Sequence, residues 1–181
     1  MRIFLIGDLH LDHANIIRYC NRPFSSVREM NKTIIHNWNK TVKRDDLVYF
    51  LGDMAFGKSS KNTDHWLKKL KGKIIFIRGN HDRSKKIRFV HDMILRYKNH
   101  KFLLIHNPEN LQKQGNGWII HGHHHNHDLK NYPFISGERK TINVGVELIN
   151  YKPLDINKLF NLNFENIKTM ETIDSLPIIK K

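Results

Sequence analysis

The chain has one cysteine, five prolines and only 17 acidic residues against 31 lysines and arginines in 181 residues. A lone Cys20 excludes an internal disulfide and a cysteine-rich zinc site, and fits a reducing cytoplasm. No apolar run approaches the roughly 20 residues that a membrane-spanning helix needs. The opening M-R-I-F-L-I-G-D meets Asp8 too early for the apolar stretch of a signal peptide, so export is not expected either. Internal repeats, low-complexity tracts and Pro/Gly linkers are absent. The shortage of acids leaves a formal charge of +14, with Lys58, Lys61, Lys68, Lys69, Lys71, Lys73, Arg83, Lys85, Lys86 and Arg88 concentrated in the first half. Such a balance attracts phosphate esters and nucleic acid. Most lysine-rich faces are simply solvated, and no zinc finger, basic zipper or aromatic-interleaved RNA signature accompanies the charge, so charge alone names no partner.

What is present suits one soluble domain. The length supports a single core, and the 39% hydrophobic share can fill it. Short apolar runs recur at 2–7, 47–52, 73–79, 101–106, 118–122 and 141–148, and several stop at glycine. Their length and punctuation predict buried strands. Between them, Val27, Met30, Ile34, Ile35 and Trp38 follow Ser25 and Ser26 at helical spacing, which predicts a helix within 25–41 with a serine N-cap. Trp66, Leu67 and Leu70 predict another in 59–71, and a third is expected at 83–91. The alternation indicates an α/β fold. Residues 1–153 read as the domain, and 154–181 as a C-terminal helix or tail packed on it or appended to it.

Chemistry-bearing residues follow the strands. The first run ends in G-D-L-H, with Asp8 and His10. The second ends in G-D, with Asp53, and the third in G-N-H-D, with Asn80, His81 and Asp82. The fourth ends at His106, and the fifth in G-H-H-H, with His123 and His125. Only the last run delivers no ligand. Ligands of open α/β sheets bind at the carboxyl edge, so these residues are expected to converge. Two carboxylates, several imidazoles and one amide oxygen suit borderline divalent ions such as Mn, Fe, Co, Ni or Zn. Seven groups exceed one tetrahedral ion and fit two ions about 3.5–4 Å apart.

In their order and strand contexts, D-x-H, G-D-x, G-N-H-[DE], H and G-H-x-H resemble the calcineurin-like metallophosphoesterase superfamily, and D-L-H-L-D-H-A-N-I-I-R-Y-C-N-R-P-F with I-N-V-G-V-E-L-I-N-Y-K-P looks like a small single-domain prokaryotic branch of it. The resemblance implies a four-layer sandwich of two mixed β-sheets flanked by α-helices. It implies Asp8, His10, Asp53 and His125 at one metal, with Asp53, Asn80, His106 and His123 at the other, Asp53 bridging. It also implies a phosphoesterase with two divalent ions, Mn foremost and Fe, Ni, Co or Zn as alternatives, working by metal-hydroxide in-line attack. Nucleotide-type or short nucleic-acid phosphodiesters are the expected substrates, and oligomeric state stays open.

His81 is the candidate general acid, because imidazole titrates near neutral pH. Asp82 is expected to orient His81 or cap the following helix. His13 and Arg22 are expected to reach the substrate, an arginine fork being suited to phosphate oxygens. Against this, Arg22 could be a loop residue held extended by Pro23. Five histidines crowd residues 118–127. His121 reads as a buried, hydrogen-bonded ring, His124 as turned away, and His127 has no assigned place. His36, His65, His91 and His100 default to surface or core. Trp38, Trp66 and Trp118 read as packing. The second block, G-D-M-A-F-G, lacks the Asp and Arg of protein phosphatases, and 181 residues leave little room for the caps of repair nucleases. The competing readings are a small nuclease and a non-catalytic scaffold of the same fold, as in the retromer subunit.

Overall fold

The computed structural model describes residues 1–57, 63–111 and 117–177. Three short apolar runs, β1 (Ile3–Ile6), β2 (Leu47–Phe50) and β3 (Lys73–Ile77), pair in parallel. Their apolar residues are continuous because both faces of such a sheet are covered. β4 (Phe89–Val90) joins β3 in parallel, and β10 (Leu154–Asp155) joins β1 antiparallel, giving the order β10-β1-β2-β3-β4. A second mixed sheet has the order β5-β6-β7-β9-β8, from β5 (Asp92–Tyr97), β6 (His100–Ile105), β7 (Trp118–His121), β8 (Ile135–Ser136) and β9 (Thr141–Asn143). Gly7 bridges to Gly145, tying the end of β1 to the segment that leaves β9. Phe4, Ile6 and Phe50 from the first sheet, and Phe102, Ile120 and Ile142 from the second, belong to one buried cluster. The expected α/β class with two mixed sheets is what is observed, with few helices.

Helix α1 (Ala14–Tyr19) is one the sequence reading did not expect. α2 (Val27–Thr41) buries Met30, Ile34 and Trp38, spaced by four, on one face. Ser26 caps it, accepting the Glu29 N–H at 3.2 Å, while Glu29 accepts from Ser25 N at 2.8 Å. Trp38 packs against Phe50 and donates to Lys71 O at 2.8 Å. The helix expected at 59–71 is α3 (Thr63–Leu67); residues 58–62, with Lys58 and Lys61, lie outside the described residues.

Two expectations are corrected. No helix occupies 83–91; the stretch runs as bends into β4, because the edge of β3 offers a parallel partner. The run 141–148 is a strand only to Asn143, and a 3-10 turn at Val146–Ile149 follows Gly145. After Pro153 the chain is woven in: β10 extends the first sheet, Ile156 and Leu159 are buried, and Phe160 and Phe164 pack on Phe102. Residues 178–181 of the expected tail lie outside the described residues. No helix among the described residues is long and apolar enough to cross a membrane.

Candidate metal centre

Each strand that ends in a motif stops where its side chains must turn into one cleft, and the backbone turns by adopting the left-handed region. Asp8, His10, Asp53, His123 and His125 have φ of 59°, 48°, 61°, 71° and 52°. Positive φ is uncommon for residues with a Cβ, and five cases among seven proposed ligands mark where the fold holds strained backbone. The glycines serve close approach. A Cβ on Gly79 would collide with the Asp53 carboxylate, and one on Gly122 with that of Asp8.

The seven residues meet. His106 Nε2 lies 2.8 Å from Asn80 Oδ1, 3.3 Å from His123 Nδ1 and 3.4 Å from Asp53 Oδ2, and His123 Nδ1 lies 3.0 Å from Asn80 Oδ1. Ligand atoms about 2.1 Å from one tetrahedral ion stand about 3.4 Å apart, so this spacing fits a cation. On the other side of Asp53, His10 Nε2 is 3.5 Å from Asp53 Oδ2 and is buried with no hydrogen-bond partner among the described residues. Asp8, His10 and His125 offer ligand atoms within 4.8 Å of one another, as do Asp8, Asp53 and His106. A partnerless imidazole nitrogen among buried carboxylates is the environment a divalent ion fits. Asp53 therefore stands between two donor sets.

Supporting contacts aim these donors. His106 Nδ1–H donates to Leu51 O at 2.6 Å, which turns Nε2 into the cleft. His125 Nδ1 lies 3.0 Å from Glu147 Oε1 and is held in the same way. Asp82 neither orients His81 nor caps a helix. Its carboxylate accepts from Asp53 N at 2.9 Å, Met54 N at 3.2 Å and Gly79 N at 2.9 Å, fastening the second and third motifs together.

Arg22 is a second correction. Its side chain is fully buried and its five N–H groups are occupied: Nε and one NH2 hydrogen on Glu147 Oε1 at 2.9 and 2.7 Å, the others on Asp8 O, Leu9 O and Met30 Sδ. No donor is left for a substrate phosphate. The guanidinium instead clamps the D-L-H turn. Glu147, which the sequence reading missed, joins that clamp to His125. Its signal was an acid inside an apolar run, V-G-V-E-L-I, which burial permits only with a partner.

His13 faces the cleft, its ring stacked on Phe56 at 3.8 Å and its Nδ1 3.4 Å from His10 Nδ1. His81 is about one-third exposed, its Nε2 4.0 Å from Asp53 Oδ2, and its N–H donates to Asp53 Oδ1 at 2.8 Å. His121 is buried with Nδ1 2.8 Å from Gly122 O, His124 stacks on Tyr132, and His127 Nε2 lies 3.3 Å from Cys20 Sγ.

Charge in this cluster is strongly coupled. Burial raises the Asp8 carboxyl to about 6 despite His125 and His106. Burial works against ionised Asp53 too, yet its hydrogen bond to His106 and the charges of His106 and His10 hold it well below the ordinary carboxylate range. Burial would depress His106, but Asp53 and Asp8 override it and push the ring to about 9.

The chain is similar to several known proteins. The family model for calcineurin-like phosphoesterase matches residues 1–176. An uncharacterised protein of Methanocaldococcus jannaschii is 51% identical over 178 residues, covering 97% of this chain and 98% of that one. The gene 66 protein of Mycobacterium phage L5 is 35% identical over 79 residues, 42% of this chain and 37% of its own length. A crystal structure of an Aquifex aeolicus protein of unknown function superposes with a TM-score of 0.66 at 24% identity, covering 88% of this chain and 98% of that one, a likeness of fold. With the family model spanning nearly the whole sequence and the motif residues gathered in one cleft, the chain belongs to the calcineurin-like phosphoesterase family.

Proposed function

We propose that the chain is a binuclear metal-dependent phosphodiesterase acting on nucleotide-type or short nucleic-acid esters. The observation that carries the reading is the convergence of six N- and O-donor residues around Asp53, with His81 beside them and about one-third exposed. Asp8, His10, Asp53 and His125 would hold one ion, and Asp53, Asn80, His106 and His123 the other; the mixed O/N donor set accepts Mn, the ion expected from the family resemblance, with Fe, Ni, Co or Zn as alternatives. When bound, two such ions supply Lewis-acid polarisation of phosphoryl oxygen and lower the pKa of water.

The chain's own residues do the rest. Asp53 and Asn80 orient the two halves of the site, and the Asp53 carboxylate also anchors the His81 backbone. His81 Nε2 delivers the proton to the departing alkoxide from the solvent side of the cleft. His13, backed by Phe56, contacts the substrate at the mouth. The cleft of about 370 Å³ is lined by His10, His13, Tyr19, Phe56 and His81 with no capping segment among the described residues, which suits a diester with two substituents. A reducing cytoplasm suits the free, buried Cys20.

Assay with bis-p-nitrophenyl phosphate and Mn tests the reading. His81→Ala is expected to lose most turnover and keep its metal, whereas Asp53→Ala loses both. Wild-type protein without turnover across Mn, Fe, Ni, Co and Zn, indistinguishable from His81→Ala, would leave the scaffold reading in its place.

A further inference from the structure

A second cleft, of about 700 Å³, opens directly from the metal-facing side chains. Asn80, His106 and His123 form its inner wall, and Arg78, Arg83 and His91 line it further out. Arg78 and Arg83 are exposed, and neither makes an ion pair among the described residues. Arg83 donates to Asp82 O at 3.3 Å, and the Arg78 guanidinium lies 5.9 Å above the Phe89 ring. Among the described residues, Asp92 is the only carboxylate lining this cleft. Arg2 and Arg22, by contrast, are both bound to acids. Two exposed guanidinium forks without an ion pair among the described residues, beside the candidate metal centre, retain donors for an anion. A simple phosphate ester, held by the ion that Asn80, His106 and His123 would bind, carries no second anionic group for them. Along the smaller cleft stands Tyr19, 55% exposed, its ring centroid 6.3 Å from that of His13 in an edge-on arrangement. An exposed aromatic face at a cleft mouth suits a nucleobase.

We propose that the substrate is a nucleotide phosphodiester carrying a second phosphate, with that phosphate held by Arg78 and Arg83 and a base laid against Tyr19. This rests on the phosphodiesterase reading above and extends it to a substrate class. The dinucleotides dTpdT and pdTpdT differ only in the terminal phosphate and isolate the arginine cleft. Calorimetry on the Mn-loaded His81→Ala chain, in which hydrolysis is slowed, is expected to show pdTpdT binding about tenfold tighter, the scale of one to two charge-assisted hydrogen bonds. The preference should shrink as salt rises. Adding Arg78→Ala and Arg83→Ala should bring the ratio near one, and Arg83→Lys alone should keep part of it. Tyr19→Ala should weaken both dinucleotides alike, by about five- to tenfold.

Equal affinity for the pair in the parent chain overturns the phosphate subsite whether or not the arginine variants fold, and unchanged dinucleotide affinity in Tyr19→Ala overturns the base position. Turnover of bis-p-nitrophenyl phosphate by wild type, measured alongside, separates failure of this inference from failure of the phosphodiesterase reading. Binding is read without turnover, so the subsite stands or falls independently of it.

Discussion

Replacing Glu147 with alanine tests whether the clamp behind the metal centre is structural in the way its geometry indicates. Glu147 is 3% exposed by side chain and Arg22 not at all, and they meet at 2.7 Å. Alanine would strand a guanidinium whose other bonds go to the carbonyls of Asp8 and Leu9 and to Met30. Breaking one side of a buried pair costs about 3–5 kcal/mol. For a chain of this size that corresponds to a fall of roughly 10 °C in Tm. His125 would lose its Glu147 contact as well, and loss of such an outer partner typically weakens metal binding about 10- to 100-fold. Thermal unfolding followed by circular dichroism in chelator reads the first effect, and Mn titration of the refolded protein reads the second. The pair is coupled, so Arg22→Met with Glu147→Leu should cost much less than the sum of Arg22→Ala and Glu147→Ala. Burial would raise the Glu147 carboxyl, but Arg22 and His125 hold it well below its ordinary 4.5. A depressed carboxylate contributes stability that is present above pH 4.5 and lost only in acid, so the wild-type advantage over Glu147→Ala should persist from pH 5 to 8. A Tm within 2 °C of wild type, or additive single costs, would refute the clamp.

Gly122→Ala should keep the fold and lose metal, because the added Cβ meets the Asp8 carboxylate that also accepts from His123 N at 3.0 Å; wild-type metal content by elemental analysis would contradict this. Asp82→Asn replaces one acceptor oxygen by a donor opposite three backbone N–H groups, and should cost about 2–4 kcal/mol in urea unfolding; a change under about 0.5 kcal/mol would show those bonds to be dispensable. His106 carries a proton to about pH 9 in the metal-free chain. A raised imidazole contributes stability that is full below pH 6.5 and lost as pH rises through 9, so chelated protein should melt several degrees lower at pH 9 than at 6.5. Metal must displace that proton, so affinity should climb across the same window with proton release on binding. Calorimetry in buffers of different ionisation enthalpy checks it, and pH-independent affinity without proton release would exclude it.

The first five apolar runs and the residues that follow them were legible because two physical signals coincide there. Buried strands need uninterrupted apolar residues, and ligand donors need the turns that glycine permits. Helical spacing after Ser25 and Ser26 likewise pointed to α2 with a serine N-cap, and the structure selects Ser26. What misled was local reading of residues whose partners lie far along the chain. Asp82 looked like a helix cap until its carboxylate was seen on the backbone of Asp53 and Met54, 28–29 residues earlier. The stretch after it then became a path to β4 rather than a helix. Arg22 beside Pro23 read equally as a phosphate fork or a loop residue, and a burial partner 125 residues away removed it from the substrate. Spacing and residue type, properties of the chain itself, pointed to β1, β2, β3, β6, β7 and β9 and to a candidate donor set, but not to β4, β5, β8 or β10, whose pairing partners lie elsewhere in the chain. Which donors are aimed inward, by Leu51 O and Glu147, and which arginines stay free to meet an anion, was decided by long-range packing, because burial and hydrogen-bond partnership arise only when distant segments are brought together.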